Sequence, residues 1–185
     1  HLLNIFVIII FSMEKKEYSD WLSQYTDSDK CLNAFFNQKQ FFRINNLKIS
    51  NAFFLSRTEL PNNTTNFDSI YELTKPLEIG KTWEYFLGLI HPQSLPSALV
   101  SIALAPNEND TVLDLCASPG SKFSHLAMLM KNQSVLVGND LKEEKISALY
   151  ATINRLNVLN SIITRGDAAR VNYKNKFTKV LLDAP

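Results

Sequence analysis

The sequence predicts an α/β fold: a doubly wound parallel sheet preceded by a small α+β unit. Three observations carry this expectation. From residue 111 onward, short apolar runs alternate with helical patterns, as strands joined by crossover helices do. The first run, Val112-Leu113-Asp114-Leu115, leads through Cys116-Ala117-Ser118-Pro119-Gly120 into a helical stretch, and Pro-Gly is a turn signal. Each predicted strand ends in an aspartate: Asp114, Asp140, Asp167 and Asp183.

The chain has 185 residues, enough to bury the core of one ordinary domain and a smaller one. Its net charge is +1, so no basic field advertises nucleic acid, although a neutral total leaves room for a local basic groove. The two cysteines, Cys31 and Cys116, give neither a disulfide framework nor a zinc spacing. No metal is expected, and a reduced, cytoplasmic setting is the default, with nucleus and organelles left open. Residues 1–12 are almost wholly apolar. They reach about half of the roughly 20 apolar residues of a membrane span. They also lack the basic start and small-residue cleavage site of a signal peptide. They read as upstream translated sequence or a disordered tail before a protein that starts at Met13, the alternative being a membrane or partner anchor; no stable membrane partner is expected.

Residues 13–80 form the small α+β unit. Trp21, Leu22, Tyr25, Leu32, Phe35 and Phe36 recur at helical spacing over 14–36. Residues 40–49 read as a strand entering a turn, and 50–60 as a short helix capped by Ser50 or Asn51. Residues 61–68 are a loop by composition. Residues 81–185 then carry the parallel sheet. Residues 83–90 are an aromatic-rich connector and His91 a loop histidine. Ser94 caps a helix with Pro96 in its first turn and Leu95, Leu99, Ile102 and Ala103 on its apolar face. Strands are expected at 111–115, 134–138, 161–164 and 179–182. Between them lie a helix over 122–130 capped by Ser121, a helix over 142–156, and a polar connection at 168–175. Ile146, Leu149, Ile153 and Leu156 share one face of the second helix.

In a parallel sheet the strand carboxyl ends line one edge, and ligands bind in the crevice beyond it. Any one of the four aspartates alone would read as a helix cap or turn residue. Four in matching positions read as a site. So many carboxylates repel phosphate. A P-loop needs Gly-Lys-Ser/Thr, whereas Gly120-Ser121-Lys122 is followed by Phe123. A nicotinamide site needs two further glycines. A phosphate-free nucleoside carrying positive charge fits, namely S-adenosylmethionine. Asp140 is placed for the ribose hydroxyls, an acid after the first or fourth strand for the ammonium, and the acid after the third for the adenine amino group. The Pro119-Gly120 turn lets backbone approach the ligand closely.

The order DLCASPGSK, ND, NRLNVLN, GDA and LLDAP resembles the RNA cytosine-C5 methyltransferases of the Sun/nucleolar-protein type. FFRINNLKIS is similar to that family's Arg-x-Asn-x-Leu-Lys element. EYFLGLIHPQSLPSALVSIALAP is similar to its Gly…Gln-Ser/Asp…Ser segment. The resemblance covers about residues 30–185. It implies a class I methyltransferase Rossmann-like sheet, incomplete here, with the first four strands of an order 3-2-1-4-5-7-6. It also implies S-adenosylmethionine held by Cys116, Ala117, Ser118, Pro119, Gly120, Ser121 and Lys122, with Asp140, Asp167 and Asp183. The implied product is 5-methylcytosine in tRNA or rRNA. The family commonly has Ala, Gly and Thr where this chain has Ser118, Ser121 and Phe123. Phe123 removes a hydroxyl at the helix start, and a lost cap or weaker cofactor binding is the expected consequence.

The family's chemistry is covalent. A cysteine thiolate adds at cytosine C6, C5 takes the methyl group, and a base removes the C5 proton; the base must be unstacked to be reached. The first family cysteine directly follows Asp-Ala-Pro, so the nucleophile is expected just after Pro185, outside this chain. Cys116 and Cys31 read as structural. The chain as it stands is therefore expected to bind cofactor and not to methylate RNA, and its fourth strand to be an exposed edge. Two alternatives stay open: a nucleotide-dependent oxidoreductase on the same sheet, and a non-catalytic cofactor- or RNA-binding or assembly protein. Phe41, Phe42, Arg43, Asn45 and Lys48 are the best candidates for RNA contact, with stacking aromatics and phosphate-binding cations. In the competing reading Phe41 and Phe42 alternate into the small unit's core.

Overall fold

The computed structural model describes residues 20, 23, 24, 27, 29, 30, 38–171, 173 and 176–184. The chain divides into residues 1–39 with 185, and residues 40–184. In the first unit, Ser23 Oγ donates to the Asp20 carbonyl at 2.8 Å and the Lys30 N–H to Asp27 Oδ1 at 3.0 Å. The apolar tail, Cys31 and the aromatic positions expected of a helix over 14–36 lie outside the described residues.

In residues 40–184 the alternation seen in the sequence becomes two sheets. β1 (Phe41–Ile44), β2 (Asn62–Thr64), β3 (Ile70–Leu73) and β4 (Ile90–Pro92) form an antiparallel sheet in the order β2-β3-β1-β4. Three short segments fill its connections. Helix α1 (Asn51–Leu55) is capped by Ser50, whose hydroxyl accepts from the Phe53 N–H. Ile79–Lys81 is a 3-10 turn, and α2 (Trp83–Phe86) is capped by Thr82. Phe42, Ile44, Phe54, Tyr71 and Ile90 make the core here. The Phe42 and Tyr71 rings stack with centroids 5.7 Å apart.

Three details differ from the sequence expectation. Residues 61–68 are not wholly loop: Asn62, Asn63 and Thr64 pair with Leu73, Glu72 and Tyr71. A polar run is stable there because β2 is an edge strand with little to bury. The aromatic-rich connector contains α2. The antiparallel sheet also reaches past Gly80, because His91 lies on β4 opposite Arg43 rather than in a loop.

The second sheet is parallel. β5 (Val112–Asp114), β6 (Leu136–Asp140), β7 (Ser161–Arg165) and β8 (Lys179–Leu181) run in the order β7-β6-β5-β8. This is the order predicted for the first four strands. Every residue of the central strands β5 and β6 is buried, which is why Val112-Leu113 and Leu136-Val137 read as apolar runs before the polar strand ends. On the edges, Ile162 and Val180 are 54% and 50% exposed.

Helices α3 (Leu95–Leu104), α4 (Ser121–Leu129) and α5 (Glu143–Leu156) connect these elements. Phe123, Leu126 and Ala127 of α4 and Leu149, Ile153 and Leu156 of α5 join Val112 and Leu136 in one core. Full burial of each large apolar side chain contributes about 1.5–3 kcal/mol. α5 stops at Asn157, whose φ of 61° gives the left-handed cap that ends many helices. No helix among the described residues is long and apolar enough to cross a membrane.

Candidate functional site

The turn after β5 is built by hydrogen bonds to both neighbouring strands. The Leu115 N–H donates to the Leu181 carbonyl and the Ala117 N–H to the Asn139 carbonyl, each at 2.9 Å. Ser118 Oγ donates to the Lys145 carbonyl at 2.7 Å, and the Ser118 N–H to Asp140 Oδ2 at 3.3 Å. The Ser118–Pro119 peptide is cis. Gly120 then takes φ of 105°, and a Cβ there would lie 3.0 Å from both Leu149 Cδ1 and Thr152 Cγ2 of α5. Glycine is required on both counts. Gly120, not Ser121, occupies the cap position of α4; Ser121 is the first helical residue. Its hydroxyl is engaged elsewhere, by His91 Nε2 at 2.8 Å.

The turn opens onto a cavity of about 60 Å³. All of residues 116–122 except Gly120 line it, and Asp114 and Asp183 complete the wall. Lys122 Nζ meets Asp183 Oδ2 at 2.5 Å. Asp140 lies outside the wall and is buried; Oδ1 accepts the Leu141 N–H at 2.8 Å while Oδ2 holds Ser118. Asp167 is also outside the wall, beyond β7, where it pairs with Arg170 at 3.2 Å and accepts the Ala169 N–H at 3.0 Å.

Burial raises the Asp114 carboxyl to about 7; the Cys116 N–H and Lys122 oppose the rise, and Asp183 and Asp140 add to it. Asp114 Oδ1 accepts that N–H at 3.2 Å. The Cys116 thiol is also pushed up, by burial and by Asp140 and Asp114. It stays protonated at neutral pH and is a poor nucleophile. No group of three or more His, Cys, Asp or Glu side chains that could hold a metal occurs among the described residues.

Residues 101–185, the part that holds this cavity, match the family described as 16S rRNA methyltransferase RsmB/F. This part of the chain belongs to the RsmB/F methyltransferase family. The tRNA (cytosine(49)-C(5))-methyltransferase of Pyrococcus abyssi is 36% identical over 142 residues, covering 76% of this chain and 46% of that protein. The human 28S rRNA (cytosine(4447)-C(5))-methyltransferase is 39% identical over 117 residues, 63% of this chain and 14% of that protein. A solved methyltransferase homologue from Pyrococcus horikoshii superposes with a TM-score of 0.74 at 27% identity, covering 94% of this chain and 64% of that one. The chain spans less than half the length of these two curated relatives.

FFRINNLKIS, residues 41–50, lies outside the matched residues 101–185 and is mostly engaged inside the fold. Arg43 is fully buried. Its Nε donates to Gln93 Oε1 at 3.0 Å, Nη2 to Ser124 Oγ at 2.8 Å and Nη1 to Met128 Sδ at 3.2 Å. Burial and nearby Arg155 pull its pKa down to about 9. Asn45 Nδ2 donates to the Gly88 and Leu156 carbonyls at 2.9 and 2.8 Å. Lys48 Nζ donates to the Leu87 and Arg155 carbonyls at 2.8 and 2.7 Å. Carbonyls in the last turn of a helix lack intrahelical donors, so Asn45 and Lys48 satisfy the end of α5. Phe42 is core and Phe41 half-buried. Of the residues expected at RNA, Arg43, Asn45 and Lys48 therefore join the antiparallel sheet to α4 and α5; Phe42, Arg43 and Asn45 are buried, while Lys48 is exposed.

Departures from the RsmB/F pattern have local explanations. Phe123 points away from the cavity into the core. A Cβ on Gly138 would lie 2.6 Å from its ring, so the ring rests directly on the β6 backbone. In the sequence the cavity residue Asp114 has a role only as one of two acids for an ammonium, and His91, which bonds the cavity residue Ser121, reads there as a loop histidine. Histidine's wide use in cores left no local signal for the latter.

Proposed function

We propose that this chain carries the cofactor-binding part of an S-adenosylmethionine-dependent RNA cytosine-C5 methyltransferase that forms 5-methylcytosine in tRNA or rRNA. The observation that carries the cofactor reading is the cavity wall: Asp114 and Asp183 line one space together with residues of the 116–122 turn, at the carboxyl edge of the parallel sheet. Carboxylates suit an ammonium and a sulfonium and repel a diphosphate. Asp114 and Asp183 would take the ammonium of the methionyl part. Asp140 would take the ribose hydroxyls, since a carboxylate that already accepts two N–H groups has lone pairs left. Asp167 would take the adenine amino group. The bound cofactor supplies an electrophilic methyl group.

The substrate reading rests on the relatives, which are named for cytosine-C5 methylation of tRNA and rRNA. Cys116 does not serve as the nucleophile that adds to cytosine C6, because its thiol is held protonated. That role falls to a cysteine following Asp183-Ala184-Pro185 in the family pattern. We assign the protein to the cytoplasm, in keeping with a composition that holds only Cys31 and Cys116 as cysteines.

Calorimetric titration with S-adenosylhomocysteine and with NADH tests the cofactor reading. Micromolar binding of the first and none of the second is expected; tight binding of NADH alone would sink it.

A further inference from the structure

A chain of side chains runs from the antiparallel sheet to the cavity wall. Arg155 of α5 donates from Nη1 to the Tyr85 and Ile90 carbonyls at 2.9 and 3.2 Å and lies 3.8 Å over the Tyr85 ring. Its Nη2 lies 2.8 Å from His91 Nδ1. A guanidinium has donors only, so Nδ1 must accept and the ring proton sits on Nε2. His91 is buried, and desolvation together with Arg43 and Arg155 lowers its pKa to about 3. It therefore stays neutral with one fixed tautomer. Nε2–H then donates to Ser121 Oγ at 2.8 Å.

This polarity has a consequence at Ser121. Its oxygen is accepting from His91, so its own hydrogen must point elsewhere. Among the described residues that hydrogen has no acceptor, and Ser121 lines the cavity. Ser121 is also the first residue of the nine-residue helix α4, where free N–H groups favour a negative ligand group. Asp114 and Asp183, the latter paired with Lys122, line the same cavity and favour a positive one.

We propose that Ser121 Oγ donates to the carboxylate of the ligand's amino-acid end and so sets affinity for it, with His91 as its positioning residue. This rests on the cofactor reading above and deepens it. A glycine at position 121 would leave His91 Nε2–H without a side-chain acceptor on α4.

The test is calorimetric titration of the protein, Ser121→Ala, His91→Leu and His91→Gln with two ligands. S-adenosylhomocysteine carries the amino-acid end; methylthioadenosine lacks it. Ser121→Ala is expected to weaken S-adenosylhomocysteine by about tenfold to a hundredfold, the range for a hydrogen bond to a charged group. Methylthioadenosine should change by less than about twofold, within the spread of a surface substitution. His91→Leu should weaken the same ligand by about threefold to tenfold, a partial loss of the same bond. His91→Gln should restore it, because an amide accepts from Arg155 and donates to Ser121. If His91→Leu fails to fold, Ser121→Ala carries the test alone. Unchanged affinity for S-adenosylhomocysteine in Ser121→Ala would overturn the proposal, as would equal weakening of both ligands. If neither nucleoside binds the unsubstituted protein, the cofactor reading itself falls; if methylthioadenosine binds as tightly as S-adenosylhomocysteine, only the present proposal does.

Discussion

Replacing Asp114 with asparagine tests the electrostatics of the cavity. Asp114 is 1% exposed, and burial raises its carboxyl from 3.8 to about 7. Between those values the folded protein holds a proton that the unfolded chain has released. The stability associated with Asp114 is thus fully present below about pH 4 and is lost as pH rises through 7. At about 1.4 kcal/mol per pH unit, the loss by pH 7.5 is on the order of 4 kcal/mol, a large share of a domain's usual 5–15 kcal/mol. Asparagine keeps an oxygen for the Cys116 N–H and cannot ionise. Asp114→Asn should therefore be more stable than the parent at pH 7.5, with the difference shrinking toward zero near pH 4. Urea denaturation followed by circular dichroism at pH 4.5, 6 and 7.5 measures it. With a slope of about 2 kcal/mol per molar urea, the midpoint at pH 7.5 should rise by about 2 M. Parallel stability curves for the two proteins would refute the reasoning.

Gly88→Ala should destabilise by about 3 kcal/mol or more, because the new Cβ would meet the Arg155 carbonyl oxygen at 2.0 Å and φ is 70°; thermal melting checks this. Gly138→Ala should destabilise by about 1–3 kcal/mol through overpacking against Phe123. Phe123→Thr should make Gly138→Ala tolerable, so a double-mutant cycle should show a coupling above about 0.5 kcal/mol. Cys116 should react with iodoacetamide at pH 8 more slowly than a free cysteine peptide, since burial and neighbouring carboxylates push its thiol up. S-adenosylhomocysteine should slow it further, and a rate equal to the peptide's would contradict the assigned environment.

The parallel sheet was legible because its central strands are buried on both faces. Val112, Leu113, Leu136 and Val137 leave an uninterrupted apolar trace, and the aspartates mark where each strand stops. Helix α5 was legible from its apolar stripe, with Leu149, Ile153 and Leu156 buried together. The start of α4 was misplaced by one residue, because serine is the stronger cap by propensity while the conformation at this turn demands glycine. β2 was hidden by its polar edge composition. The largest difference concerns Arg43 and Asn45, both buried. A basic residue facing phosphates and one facing carbonyls look alike in sequence. What separates them is distance along the chain, since Arg43 finds Ser124 81 residues away. Chain-local patterns hold no record of such a partner.

That same separation bears on how the protein is made. Asn45 completes its bonds only at the Leu156 carbonyl, 111 residues downstream. A ribosome adding about 5–20 residues per second takes about 5–20 seconds to deliver that acceptor. Until residues 121–129 have been made the nascent antiparallel sheet has no α4 to lie against, and until Leu156 it has no complete α5. The guanidinium can lose its hydration only when the later helices arrive, so final burial of the amino-terminal sheet is timed by synthesis of the carboxyl-terminal one.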